Sequence, residues 1–342
     1  PKDHLSSSSS SDDARIGAGG FCDVIMGHSI VMNQSNNREW RNREPVAIKL
    51  SRQADAVPLL QSEAGFLQKL ERAGAGFPRV HHVEETPEGD GLAVVMDLLG
   101  PSLEDLWWAC TCGTGGLTMW TVLEVAEQML DRLETMHRAG VVHRDIQPAN
   151  ILMGRIGDDS RRTLHLIDFG IAAEVSADNV ERPPLVHDVT SSYQYHAFSG
   201  TPRFASVSAL LNHGGGACPA DDLESLCYTL YFLATGSAPW LDSIEVDAGT
   251  KAGAEFLAQV KREAELSGWI GELLEHSRSC RTSPSVAQPD FKWCQSLVRQ
   301  HKKQLLISHV RDKTMMMDWE EQRITWDEEN GALHHELYAF SN

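Results

Sequence analysis

The chain has 342 residues, 42% of them hydrophobic and 23% charged, with a formal net charge of -18. That length accommodates two lobes around a shared cleft, and the balance excludes a mainly disordered chain. The negative charge excludes a general nucleic-acid binder, which needs a surplus of Lys and Arg on its contacting face, and reads instead as a solvated, self-repelling surface.

Residues 1–14, with "SSSSSSDDA" from Ser6 to Ala14, lack hydrophobic periodicity and read as a mobile lead-in. From Arg15, "RIGAGGFCDVIMGHSIVM" reads as a strand, a Gly-rich turn and a second strand, and "EPVAIKLS" as a third. The spacing of Leu59, Leu60, Phe66, Leu67 and Leu70 predicts the one substantial helix before residue 100. After "GLAVVMDLLGPS" the pattern turns helical. One helix is expected from an N-cap at Thr118 to a stop at Gly140, and "NILMG" and "TLHLIDFG" read as a short strand pair. Residues 174–199 form a long polar stretch, the kind of loop that is functional or disordered. "DDLESLCYTLYFLATGSAPW" is apolar on nearly every side in its middle and predicts a buried helix. Strands first and helices later give an α+β fold: a small β-rich lobe over 15–99, a larger helical lobe over 100–304, and an acidic extension over 305–342. No apolar run reaches the length of a membrane span. The seven cysteines are scattered rather than arranged as a disulfide framework, so a reducing compartment, cytoplasmic or nuclear, is expected. The sequence opens on Pro1, so N-terminal targeting is not assessed from it.

The candidate chemistry lies in an ordered series. "GAGGFC" from Gly17 to Cys22 would let backbone N–H groups approach phosphates, although a lone Gly-rich turn is often only a turn. Lys49 follows "VAI" in an apolar strand, where a lysine needs an anion or a carboxylate, and Glu63 on the next helix would supply one. "HRDIQPAN" then places Asp145 and Asn150 at the kinase catalytic-loop spacing, and "DFG" follows at Asp168 to Gly170. Phosphoryl transfer needs an acceptor for the substrate hydroxyl, oxygens for Mg²⁺ and a cation for the nucleotide phosphates. Asp145, then Asn150 with Asp168, then Lys49 fit these needs in turn. Each piece alone has a plain structural reading; the whole series in order does not. The histidines at His81 and His334 and the "CTC" at Cys110 are too sparse for a metal site.

These motifs, together with "VVMDLLGPSLEDLW" at Val94 to Trp107, "GTPRFAS" at Gly200 to Ser206 and "DDLESL" at Asp221 to Leu226, resemble the casein kinase 1 branch of the protein kinases. The resemblance covers about Arg15 to Gln300, including "SVS" at Ser206 to Ser208 where most kinases have Ala-Pro-Glu. It implies a bilobal protein kinase fold and an ATP-dependent, Mg²⁺-requiring Ser/Thr kinase acting on protein hydroxyls. Gly17 and Gly19 would cover the phosphates. Adenine would meet the hinge at Met96, Asp97, Leu98 and Leu99, between Val24, Ala47 and Leu152. Leu67, His143 and Phe169 would form a hydrophobic stack between the lobes, Thr201 would orient Asp145, and Asp222 would brace the catalytic loop or simply cap a helix. The alternatives are a kinase-fold scaffold without efficient catalysis and, disfavoured by "GTPRFAS", a small-molecule kinase.

Four departures stand out. Cys22 replaces the third loop glycine, with a modest loss expected. Gln147 replaces a lysine that in the family reaches the transferring phosphate; losing one such donor costs a factor of ~100 to 1000 by analogy with oxyanion holes, although Gln still donates hydrogen bonds. The basic positions after "DFG" and before "DDLES" read "IAAEV" and "ACPA", leaving Arg203 as the remnant, so selection of acidic or primed substrates is not carried over. The extension carries Asn330-Gly331 between strand-like segments, read as a hairpin or as a disordered tail; if folded, Trp326, Leu337, Tyr338 and Phe340 would dock on the large lobe or on a protein partner.

Overall fold

The computed structural model describes residues 15–18, 22–30, 43–51, 53–87, 89–155, 162–175, 200–211, 218–241, 250–280, 288–308, 316–321, 324–327 and 332–335. The fold is α+β.

In the first lobe, β1 (Arg15–Ala18), β2 (Cys22–Ile30) and β3 (Arg43–Ser51) precede helix α1 (Val57–Glu71), followed by β4 (Val80–Glu85) and β5 (Leu92–Asp97). The strands form one sheet in the order β1-β2-β3-β5-β4, with β3 in the middle. Because side chains alternate along a strand, Val46 and Ile48 pack on one face of β3 with Ala93. Ala47 turns to the opposite face and joins the main core. Lys49 lies two residues on, opposite Val24 of β2 and Val94 of β5. Helix α1 carries Pro58 in its first turn, where the missing N–H costs nothing. Its buried stripe is Leu60, Ala64, Leu67 and Leu70, and Glu63 lies on that same stripe.

The chain leaves β5 and enters α2 (Leu103–Thr111), whose start is fixed by a capping box between Ser102 and Asp105. Helix α3 (Met119–Arg138) begins after Thr118, whose hydroxyl accepts from Thr121 N, and ends before Gly140 at φ +73°. Both limits match the sequence expectation. Short antiparallel pairs follow: β6 (Val141–Val142) and β7 (Ile151–Met153) pair with β9 (Ala173–Glu174) and β8 (Leu164–Leu166), respectively. The Gly100 N–H donates to Met153 O at 2.9 Å and the Met153 N–H to Pro101 O at 3.0 Å, fastening β7 to the stretch between the lobes.

After α4 (Val207–Leu211) comes α5 (Pro219–Thr235), the buried helix expected from its apolar middle; Leu223, Leu226, Leu230 and Leu233 are all fully buried. Full burial of each such side chain is worth about 1.5–3 kcal/mol. Of the helices α6 (Lys251–Glu263), α7 (Gly268–Cys280) and α8 (Phe291–Ser308), α7 packs on α5, α8 on α3, and α6 on α4. Among the described residues, no helix is long and apolar enough to cross a membrane.

The extension contributes a short α9 (Asp318–Glu321) and a strand pair, β10 (Ile324–Asp327) antiparallel to β11 (Ala332–His335). Asn330, Gly331, Leu337, Tyr338 and Phe340 lie outside the described residues. The docking contacts described are made by other residues: Met317 and Trp319 enter the core of the large lobe. Between them, Asp318 Oδ2 accepts from Thr118 N and Thr118 Oγ1, both at 2.9 Å, while Asp318 N donates to Thr121 Oγ1 at 3.0 Å. The extension thereby holds the capping residue Thr118 and the Thr121 hydroxyl at the start of α3. Substituting Asp318→Ala removes the acceptor of two part-buried donors and is expected to cost about 1–2 kcal/mol. Urea unfolding reads this as a lower midpoint; an unchanged midpoint would mean the contact contributes nothing.

Candidate active site

The site forms where β3, α1, the loop after β6 and the segment after β8 meet. Lys49 Nζ donates to Glu63 Oε1 at 2.9 Å, Glu63 Oε2 at 2.7 Å and Asp168 Oδ1 at 2.9 Å. Three elements separated in sequence thus share one ammonium. Burial alone would lower a lysine's pKa, but Glu63 and Asp168 outweigh it and hold Lys49 above the ordinary lysine range. Burial raises the Glu63 carboxyl, and Lys49 offsets part of that rise. Burial acts to raise Asp168 as well, yet Lys49 prevails and holds it below the usual carboxylate range. The Asp168 side chain is 48% exposed and that of Glu63 only 4%, so solvent screens the Asp168 contact more and Glu63 is the tighter partner.

The loop carrying Asp145 is fixed from below by α5. Asp222 Oδ1 accepts from Arg144 N at 2.8 Å, and Asp222 Oδ2 accepts from His143 N at 2.9 Å and faces His137 Nε2 at 2.8 Å. The capping role falls to the neighbouring Asp221, whose carboxylate accepts from Cys218 N at the start of α5 and from Ser206 Oγ. Asp222 is therefore a loop brace rather than a helix cap. Its carboxyl is lowered because the hydrogen bond with His137 and the nearby histidines outweigh burial, which acts the other way. The brace also holds a strained backbone: Arg144 sits at φ +74°, a conformation costing a non-glycine residue about 1–3 kcal/mol. Thr229 of α5 adds a bond to Ile146 O at 3.3 Å.

Asp145 itself is held on both oxygens. Oδ1 accepts from Thr201 N at 2.8 Å; Oδ2 accepts from Gln147 Nε2 at 2.8 Å and Asn150 Nδ2 at 2.9 Å. Gln147 Nε2 also donates to Thr201 Oγ1 at 2.6 Å. A carboxamide has two N–H donors, and both are spent inside this cluster, which leaves Gln147 no donor to offer a phosphate. Asn150 Nδ2 donates in addition to Asp145 O at 2.9 Å.

The remaining expected residues fall as follows. Leu67, His143 and Phe169 are fully buried, with the His143 and Phe169 rings 4.7 Å apart and Phe77 against Phe169. Gly17 lies in β1, Val24 in β2, Ala47 in β3, Met96 in β5 and Leu152 in β7, bridged to Ser102. Met96 and Leu98 are buried and Leu99 partly so. The Asp97 carboxylate accepts from Arg79 N, just before β4, at 2.9 Å and faces His81 Nε2 of β4 at 2.8 Å. Gly19 lies outside the described residues. His137 was not signalled by the sequence: it sits in the last turn of α3, where a basic residue has an ordinary helix-end explanation.

A five-stranded lobe and a helical lobe, joined at a lysine clasped by carboxylates and facing a braced loop aspartate, define a kinase-type domain. A family model described as Protein kinase domain matches residues 11–312, and the chain belongs to the protein kinase family.

The brace yields a pH-dependent test. A carboxyl with a lowered folded pKa contributes stability above its unfolded value, about 3.9, and that contribution is lost as pH falls through the folded value. Asp222→Asn is expected to destabilise by about 3–5 kcal/mol near neutral pH, as breaking a buried charged network does. The gap to wild type should then narrow as pH drops below about 4. Denaturant unfolding over that range checks it; a penalty that persists undiminished in acid would rule out the ionised brace.

Proposed function

We propose that the chain is an ATP-dependent Ser/Thr protein kinase of the casein kinase 1 type, transferring the γ-phosphate of Mg-ATP to a protein hydroxyl. The observation that carries this reading is Asp145, fixed on both oxygens in a loop whose His143 and Asn150 bond to Ile167, beside Asp168 of the cluster with Lys49 and Glu63. In the proposed roles, Asp145 receives the hydroxyl proton and Thr201 and Asn150 fix its orientation. Lys49, kept charged by its two carboxylates, meets nucleotide phosphate, and Glu63 holds Lys49 in place.

The donor set fits Mg²⁺. Asp168 offers an ionised carboxylate, and Asn150, whose NH₂ is engaged with Asp145, has its carboxamide oxygen as the group left to coordinate. Few protein oxygens suit an ion that takes the rest of its shell from water and phosphate. When bound, the ion neutralises phosphate charge. Gly17 and Gly19 are proposed to cover the phosphates, and Val24, Ala47, Leu152, Met96, Leu98, Leu99 and the Asp97 backbone to enclose the base.

Gln147 acts in this reading on the base rather than on the phosphate. Its amide bridges Asp145 and Thr201, so the cluster keeps its geometry while lacking one positive charge. The same residue supports the second reading, a kinase-fold scaffold with inefficient chemistry. Substrate choice is proposed to be independent of acidic or phosphorylated flanks. Glu174 stands after "DFG" and is already paired with Lys69 at 2.6 Å, and the exposed Arg203 shares its field with Glu104. Glu104 is raised by burial and by Asp105, with Arg203 opposing.

Transfer from labelled ATP to a mixture of Ser/Thr peptides is expected for wild type and absent for Asp145→Asn; equal signal from both would refute the assignment. Gln147→Lys is expected to raise the rate up to ~100-fold while ATP affinity stays nearly constant. Equal rates would show that the missing charge does not limit the chemistry.

A further inference from the structure

Among the described residues, the large lobe contains one fully buried lysine that the proposed phosphoryl-transfer site does not use. Lys261, on α6, has no solvent exposure. Its Nζ donates to Pro202 O at 2.9 Å and to Ala205 O at 2.6 Å. It lies 4.5 Å from the centre of the Tyr228 ring and 5.9 Å from that of Trp240. Arg278 fixes the helix at the same point, donating to Lys261 O at 3.0 Å and to the Tyr228 hydroxyl at 3.3 Å. A buried amine is costly unless its donors are matched, and here the matching acceptors belong to one short segment.

That segment is the one that reaches Asp145. Phe204 N and Ala205 N both donate back to Thr201 O, at 3.0 and 3.1 Å, closing a compact turn from Thr201 to Ala205. Thr201 in turn gives its N–H to Asp145 Oδ1 and accepts from Gln147. Resting on the kinase reading above, we propose that Lys261 is a positioning residue that holds the turn Thr201 to Ala205 through two backbone carbonyls and so presents a peptide hydroxyl to Asp145.

Charge is not required for this tether. Burial pushes the Lys261 ammonium well down, with Glu224 opposing, yet a neutral amine still has two N–H groups for two carbonyls. The Lys261 amine bonds to Pro202 and Ala205, while Lys49, Glu63 and Asp168 lie on other elements, so the tether does not touch the groups proposed to meet nucleotide.

The test compares wild type with Lys261→Met, which keeps an apolar stem against Tyr228 and Trp240 and removes both donors. Peptide phosphorylation is expected to fall roughly ten- to a hundredfold in kcat/KM, while ATP affinity stays as in wild type. Hydrogen exchange at the amides of Phe204 and Ala205 is expected to accelerate. Wild-type protection together with wild-type peptide kinetics would overturn the proposal, as would equal losses in peptide transfer and ATP binding. If Lys261→Met does not fold, Lys261→Gln, which keeps a shorter N–H donor, is measured in its place with intermediate values expected and wild-type values overturning the tether. A wild type as inactive as Asp145→Asn would sink the kinase reading alone, because the exchange measurement still decides whether the tether exists.

Discussion

One ammonium organises the junction of the two lobes. Lys49 comes from the middle strand of the sheet, Glu63 from the helix beside it and Asp168 from the strand-loop segment of the larger lobe, and all three meet within hydrogen-bond distance. Neither Lys49 nor Glu63 is stable at such depth alone. A buried lysine without a carboxylate, or a buried glutamate without a cation, carries a desolvation cost that only the partner repays. The mutual requirement fixes the helix relative to the sheet and sets the distance between the lobes at their inner edge. The hydrogen bond from the Phe169 backbone to Glu63 extends the same fixture to the hydrophobic stack of Phe169, His143 and Phe77.

The second anchor is Asp222, and its logic is complementary. Where Lys49 gathers charges between the lobes, Asp222 sits fully buried in α5 and accepts from consecutive backbone amides of the loop that carries Asp145. The loop can therefore hold Arg144 at positive φ and still deliver Asp145 to a fixed place. From Asp145 the chain of contacts passes through Thr201 to the turn ending at Ala205 and from there to Lys261. The loop aspartate, the turn Thr201 to Ala205 and the helical core form one connected set, in which Asp222, Ala205 and Lys261 are buried and Asp145 and Thr201 partly so.

The parts of this arrangement legible in the sequence were those with a local signature. The strand alternation around "VAIK", the cap at Thr118, the apolar α5 and the spacing from Asp145 to Asn150 each follow from near neighbours. What escaped was set by distant partners. Lys261 looks like any basic residue in the last turn of an amphipathic helix, and its burial depends on carbonyls 56 and 59 residues away. The docking of Asp318 on Thr118 spans 200 residues and has no periodic pattern to announce it. Gln147 was visible as a substitution, but its meaning depended on where its two N–H groups point, and they point at Asp145 and Thr201 rather than outward.

The central claim is that the shared ammonium sets the geometry in which phosphate is transferred. Single-turnover transfer from Mg-ATP to a serine peptide, compared between wild type and Glu63→Gln, tests it most directly. Gln keeps the size of the side chain and removes the charge that holds Lys49, so the transfer step is predicted to slow by roughly 10- to 100-fold. Transfer within about twofold of wild type would contradict the account, because a lysine that needs no Glu63 is not the constraint on which the cleft depends.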